Sequence, residues 1–134
     1  MIWGKTNETI KNKAQKLQNF AAKVVDGKFD HVTPILKELK WLNIKNQITF
    51  NVGVYIYKQL NEQDCILQLP TVNTITQSTT RQNKNLYIPR VKLDTAARSL
   101  SVLGPKIWNN IPLNVKEASN IHSFKTKLKE ILLN

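Results

Sequence analysis

Apolar residues recur along this chain in more than one register. From Thr6 or Asn7 to about Val25, the residues Ile10, Ala14, Leu17, Ala21 and Val24 follow one another at spacings of four, three, four and three. That rhythm predicts an amphipathic helix with all five on one face. Lys11, Lys13, Lys16 and Lys23 fall elsewhere on its surface, and Glu8 stands near its start, where the helix dipole favours an anion. Asp26-Gly27 closes it, glycine being the usual left-handed residue after a helix. His31-Val-Thr-Pro then opens a short second helix ending near Lys40. Thr33 suits its N-cap and Pro34 its first turn, with Ile35, Leu36 and Leu39 as the buried face.

Between Asn46 and Leu60 two periods compete. Ile48, Phe50, Val52, Val54 and Ile56 alternate with Thr49, Asn51, Gly53 and Tyr55, a β-branched pattern that taken alone reads as a strand. Ile44, Ile48, Val52, Tyr55 and Tyr57 to Leu60 also fit a helical stripe. Residues 61–85 are polar and threonine-rich and read as a flexible linker between an N-terminal helical lobe, 1–60, and a C-terminal lobe, 86–134. In the second lobe, Leu86–Leu93 and Ser99–Leu103 alternate weakly and can pair as a short β-hairpin near 86–103, with Pro89 holding the first strand to an edge. Gly104–Pro112 then reads as turn, short helix, stop. Pro105 suits a first helical position, and Pro112 biases Ile111 away from helical angles. Ser119 or Asn120 caps a last helix with Ile121, Phe124, Leu128, Ile131 and Leu132 on one face. The expected fold is mainly α, a small helical domain of about four to five helices.

Charge adds a direction that periodicity lacks. Twenty basic residues against nine acidic ones leave a formal net charge of +11, more than the ~2–8 that solubility asks of a small domain. The balance favours a polyanionic partner without naming one. No apolar run approaches the ~20 residues needed to span a bilayer, so a membrane is not expected among the partners. Met1-Ile-Trp-Gly is followed by polar residues rather than a signal-peptide core, and Cys65 is the sole cysteine. An intracellular protein, nuclear or cytoplasmic and not secreted, is the expectation.

Catalytic chemistry finds little to stand on. Asp26, Asp30, Asp64 and Asp94 are scattered, whereas nucleotidyl transfer needs carboxylates gathered around two metal ions about 4 Å apart. One cysteine with His31 and His122 falls short of a zinc ligand set. The glycines stand too far apart for a phosphate loop, and Cys65 has no evident basic neighbour. The expectation is a non-enzyme with no cofactor and no metal. Trp3, Trp41 and Trp108 each adjoin a helix boundary and apolar neighbours, which favours structural anchoring over base stacking.

The serial order of several motifs resembles the C-terminal region of reverse transcriptases from non-LTR retrotransposons, LINE-type and jockey-like. They run from Trp3-Gly4 through the segments 16–25 and 30–39 to Trp41-Leu42 and Tyr57-Lys58. Beyond the linker come Ile88-Pro-Arg90, then Arg98 to Pro112 with its Gly-Pro-Lys-Ile-Trp-Asn-Asn-Ile-Pro ending, then Ser123-Phe-Lys125 and Leu128-Lys129. The chain departs from that pattern at Phe20, where a basic residue is common, and in 61–85, where a proline-containing loop is usual. The resemblance implies helix for Ile44 to Leu60, against the local alternation. It also implies a non-catalytic appendage of an RNA-directed DNA polymerase, whose catalytic aspartates lie upstream of these motifs. RNA or DNA, bound without sequence preference, and the polymerase core are the implied partners. The alternative is an autonomous basic nucleic-acid-binding module unrelated to transposition. Candidate phosphate contacts are Lys11, Lys16, Lys23, Arg90, Arg98, Lys106, Lys125 and Lys129.

Overall fold

The computed structural model describes residues 7–27, 31–61, 69–76 and 85–134. Among them the chain is mainly helical, as its pattern predicts. The elements are α1 (Glu8–Asp26), α2 (Val32–Glu38), α3 (Ile44–Asn61), α4 (Val72–Thr76), α5 (Asp94–Ala97), α6 (Leu100–Asn110), α7 (Leu113–Lys116) and α8 (Ile121–Leu133). The expected linker, 61–85, is described at Asn61, which ends α3, at 69–76 and at Asn85; its remainder lies outside the described residues.

Helix α3 is the hub, packing against α1, α6 and α8. Neighbours on several sides explain its conflicting sequence. A helix packed on more than one side needs apolar residues on more than one flank, so the alternation from Ile48 to Ile56 covers two flanks of a helix rather than one face of a strand. Val52, Ile56 and Tyr57 enter a core completed by Leu86, Trp108, Ile111, Val115, Phe124 and Leu128. The core therefore draws on chain from both sides of residues 61–85. The Phe124 ring stacks on Tyr57 at 4.3 Å between centroids and meets Trp108 at 6.0 Å. The buried Tyr57 hydroxyl donates to the Ala118 carbonyl at 2.7 Å. A ring pair of this kind contributes ~0.5–1.5 kcal/mol beyond the area it buries.

Two glycines let these helices approach. A Cβ on Gly104 would lie 2.8 Å from Ile56 Cδ1, and one on Gly53 would lie 3.0 Å from Leu128 Cδ2 and 3.1 Å from Ile111 Cδ1. Gly104 and Pro105 sit inside α6, not at its start. The expectation that Pro105 opens the helix is therefore corrected. Both residues are poor helix formers, but both are buried, and tertiary packing outweighs propensity here. Pro112 does end the element, with Ile111 extended at φ −72°, ψ 132°.

The β-hairpin near 86–103 is absent: Ser99 caps α6, and Leu100–Leu103 form its first turn. Leu86 instead makes one antiparallel bridge to Thr71, with Tyr87 N–H donating to Pro70 O at 2.8 Å and Val72 N–H to Asn85 O at 2.9 Å. Its own amide and carbonyl are taken by the Asn109 side chain, each at 2.9 Å. A side-chain amide thus replaces the second strand. At the second helix the N-cap position falls on His31, not Thr33, with no capping hydrogen bond from its side chain, and Pro34 still falls in the first turn, where its missing N–H costs nothing. Asn120 caps α8 as expected, its side chain accepting from Ser123 N–H at 2.8 Å.

The largest correction concerns α1. Of its apolar face, Ile10, Leu17, Ala21 and Val24 point outward, with Leu17 72% exposed, and Ala14 is half-buried. The opposite face packs instead, through Ala22 against Ile35 and Leu36. Amide hydrogen bonds hold that orientation: Gln15 Oε1 accepts from Ile44 N–H and Gln18 Nε2 donates to Leu42 O, both at 2.7 Å. The Ile44 amide opens α3 and has no partner within its own helix, so Gln15 supplies one. On α8, Phe124 and Leu128 are buried as expected, while Ile131 at the same face is exposed.

Two outcomes follow from this packing. Leu17→Lys should change stability by less than about 0.5 kcal/mol, whereas Ala22→Leu should lose ~1–3 kcal/mol by overpacking, both read from denaturant titrations. Gly104→Ala should lose ~1–2 kcal/mol despite the better helix propensity of alanine, and Ile56→Val in the same chain should recover part of it. Strict additivity of the pair would show that the two sites do not touch.

Candidate nucleic-acid interface

The eight basic residues singled out in the sequence are spread over several elements. Lys11 stands in the first turns of α1, its ammonium 3.6 Å from Glu8. Lys16 is exposed further along that helix, and Lys23 is half-buried in its last turn, where a cation complements the carbonyl end. At 100° per residue, Lys16 and Lys23 share one stripe of α1 and Lys11 occupies another. Arg90 is exposed in the extended segment after Leu86, and Arg98 is half-buried between α5 and α6. Lys106 is exposed on α6. Lys125 and Lys129, one helical turn apart, are both exposed on α8, beside the buried Phe124 and Leu128. Packing of the α8 core face therefore directs this pair to solvent.

Lys116 illustrates the opposite arrangement. Its ammonium lies 5.7 Å from the Trp108 ring centroid and donates to the Asn109 carbonyl at 3.4 Å. Burial holds its pKa below the ordinary lysine value, because desolvation disfavours the charged form. This lysine is part of the scaffold around Trp108. Trp108 itself is only 6% exposed, which makes it an anchor as expected. Trp3 lies outside the described residues.

Trp41 departs from the anchoring expectation, being 37% exposed. It stands at the corner between α2 and α3, on the wall of a cleft of about 560 Å³. Helix α1, that corner and the end of α8 line the cleft. Lys11 reaches it, together with Lys37 and Lys45, which sequence reasoning did not single out. The missed signal was spacing around an aromatic residue: Lys37 and Lys45 each lie four positions from Trp41. Only the tight corner turns both toward one opening.

Local geometry makes that corner. Trp41 N–H donates to Leu36 O at 2.8 Å and Lys40 N–H to Lys37 O at 3.0 Å, the paired bonds that finish a helix in a left-handed turn. The left-handed residue is Lys40, at φ 52°, where glycine is usual. Asn43 then starts α3, its side chain accepting from Asn46 N–H at 2.8 Å. Asn46 Nδ2 in turn donates to Leu132 O at 2.7 Å, tying the corner to α8.

Among the described residues, no three His, Cys, Asp or Glu side chains gather as a metal-binding group. No helix among them is long and apolar enough to cross a membrane. Cys65, Asp30 and Asp64 lie outside the described residues. Comparison of the chain with protein-family models, with curated proteins and with solved structures found no match.

A non-glycine residue in the left-handed region costs ~1–2 kcal/mol. Lys40→Gly should therefore raise stability by about 1 kcal/mol in thermal unfolding. A loss instead would show that the Lys40 side chain contributes packing worth more than the strain.

Proposed function

We propose that this chain is a non-catalytic, structural helical module with weak, sequence-independent affinity for nucleic acid, of the kind found after the polymerase core in non-LTR retrotransposon reverse transcriptases. The observation that carries the binding part is the exposed Lys125–Lys129 pair on a firmly packed helix, in a chain of net charge +11. A rigid helix presenting ammonium groups to solvent suits phosphate contacts, which position a nucleic acid without reading its sequence. Lys106 adds an exposed cation on α6. The role as an appendage takes support from α1, whose outward apolar face of Ile10, Leu17, Phe20 and Val24 fits a module built to rest against a larger body. In this reading the protein works inside the cell, in the nucleus or the cytoplasm, with RNA or DNA and the polymerase core as partners. It needs no metal or cofactor of its own.

Fluorescence anisotropy against duplex and single-stranded probes over a range of salt tests the binding part. Log K should fall linearly with log salt, by ~0.9 for each phosphate neutralised on duplex DNA. Charge reversal of Lys106, Lys125 and Lys129 should weaken binding to all sequences alike and flatten that slope. Unchanged affinity would remove these residues from the interface, and no binding in the micromolar range at low salt would overturn the reading.

A further inference from the structure

The Trp41 cleft combines groups that no single simple ligand uses together. The partly exposed indole of Trp41 lines the cleft, and an exposed indole can serve as a stacking surface. Lys11, Lys37 and Lys45 bring positive charge to the rim, and the one carboxylate side chain lining it, Glu8, is engaged by Lys11 at 3.6 Å. Asn12 supplies an amide, donor and acceptor in one group, and the buried Leu36 and Leu42 supply an apolar floor. A free phosphate would leave the indole and the leucines idle. An apolar ligand would leave the ammonium groups idle. A nucleotide in a strand uses all of them: a π-face, an edge with donors and acceptors, and phosphates on either side.

The exposure of the indole narrows the class further. Trp41 stays 37% exposed on the wall of a cleft of about 560 Å³, within the ~300–1,000 Å³ range of small-ligand pockets. Bases within a duplex are already stacked on one another and have no free face for the indole. An unstacked base has one.

We propose that this cleft receives one base of a single-stranded nucleic acid, stacked on Trp41, while Lys37 and Lys45 engage the phosphates beside it. The proposal rests on the nucleic-acid reading above and adds to it a preference for single strands and a defined base site. Lys40 and its left-handed turn are positioning elements, since they hold Trp41 at the mouth rather than touch the ligand. Lys125 and Lys129 on α8 stand outside the cleft lining and serve the general phosphate contacts.

The test compares an oligothymidylate with an abasic oligomer of the same length, in anisotropy titrations at low salt. The wild-type chain should bind the oligothymidylate about tenfold more tightly, the scale of one base stacked on an aromatic side chain. Trp41→Ala should bring the two oligomers to equal affinity without altering the abasic one. Trp41→Phe, which keeps a ring, should retain most of the preference and covers the case in which Trp41→Ala does not fold. Charge reversal at Lys37 and Lys45 together should weaken both oligomers by the same factor. A wild-type chain that binds both oligomers equally overturns the base site and leaves the phosphate-binding reading standing. The same holds if Trp41→Ala keeps the preference, or if polyglutamate displaces the oligothymidylate as well as the abasic strand does. Failure of the wild-type chain to bind either oligomer overturns both readings.

Discussion

Close contact around Ile56 is the constraint on which the described structure depends. Its side chain is fully buried on α3 and ends where a Cβ on Gly104 would have to stand, 2.8 Å from Cδ1. One turn earlier on α3, Gly53 leaves room for Leu128 and Ile111. Backbones on α3, α6 and α8 can therefore come near enough for Phe124 to lie against both Tyr57 and Trp108. Interiors pack at crystal-like density, so added atoms at either glycine have nowhere to go. The two glycines are the spacing of the bundle.

The segment Gly104–Pro112 gains a physical account from this packing. Gly104 admits Ile56, Pro105 is buried, Trp108 meets Phe124 and Asn109 holds the backbone of Leu86. Ile111 reaches toward Gly53, and Pro112 turns the chain into α7. Lys106 is the one charged member of the stretch, and it is exposed. The density of the motif is that of a structural junction. The junction holds in place the outer side of α8 and the cleft, to whose lining the bond from Asn46 to Leu132 contributes.

Polar groups settle what hydrophobic patterning leaves ambiguous. Helix α1 has a well-formed apolar stripe, yet it docks by its glutamines and Ala22. A buried backbone amide without a partner costs ~1–3 kcal/mol, comparable to burying one aliphatic side chain. Gln15 meets such a need at the start of α3, and Gln18 serves the carbonyl of Leu42. The same logic explains Leu86, whose amide and carbonyl find Asn109 where a hairpin strand was expected. Neither long-range pairing has a local sequence signature.

Composition and short-range pattern were sufficient for the helical class, for Gly27 and Asn120 at helix ends, for the break at Pro112 and for the basic outer side of α8. These rest on backbone conformations and periodicities that neighbouring residues impose on one another. Tertiary structure alone decided that α3 is clothed on several sides, that α6 runs through Gly104-Pro105, and that α1 turns its apolar face outward. It alone also gathered Lys11, Lys37 and Lys45 around Trp41. Each of these depends on contacts between residues far apart in the chain, where burial and hydrogen-bond satisfaction outweigh local preference, which is a few tenths to about 1 kcal/mol for most residues and about 3 kcal/mol for an interior proline such as Pro105.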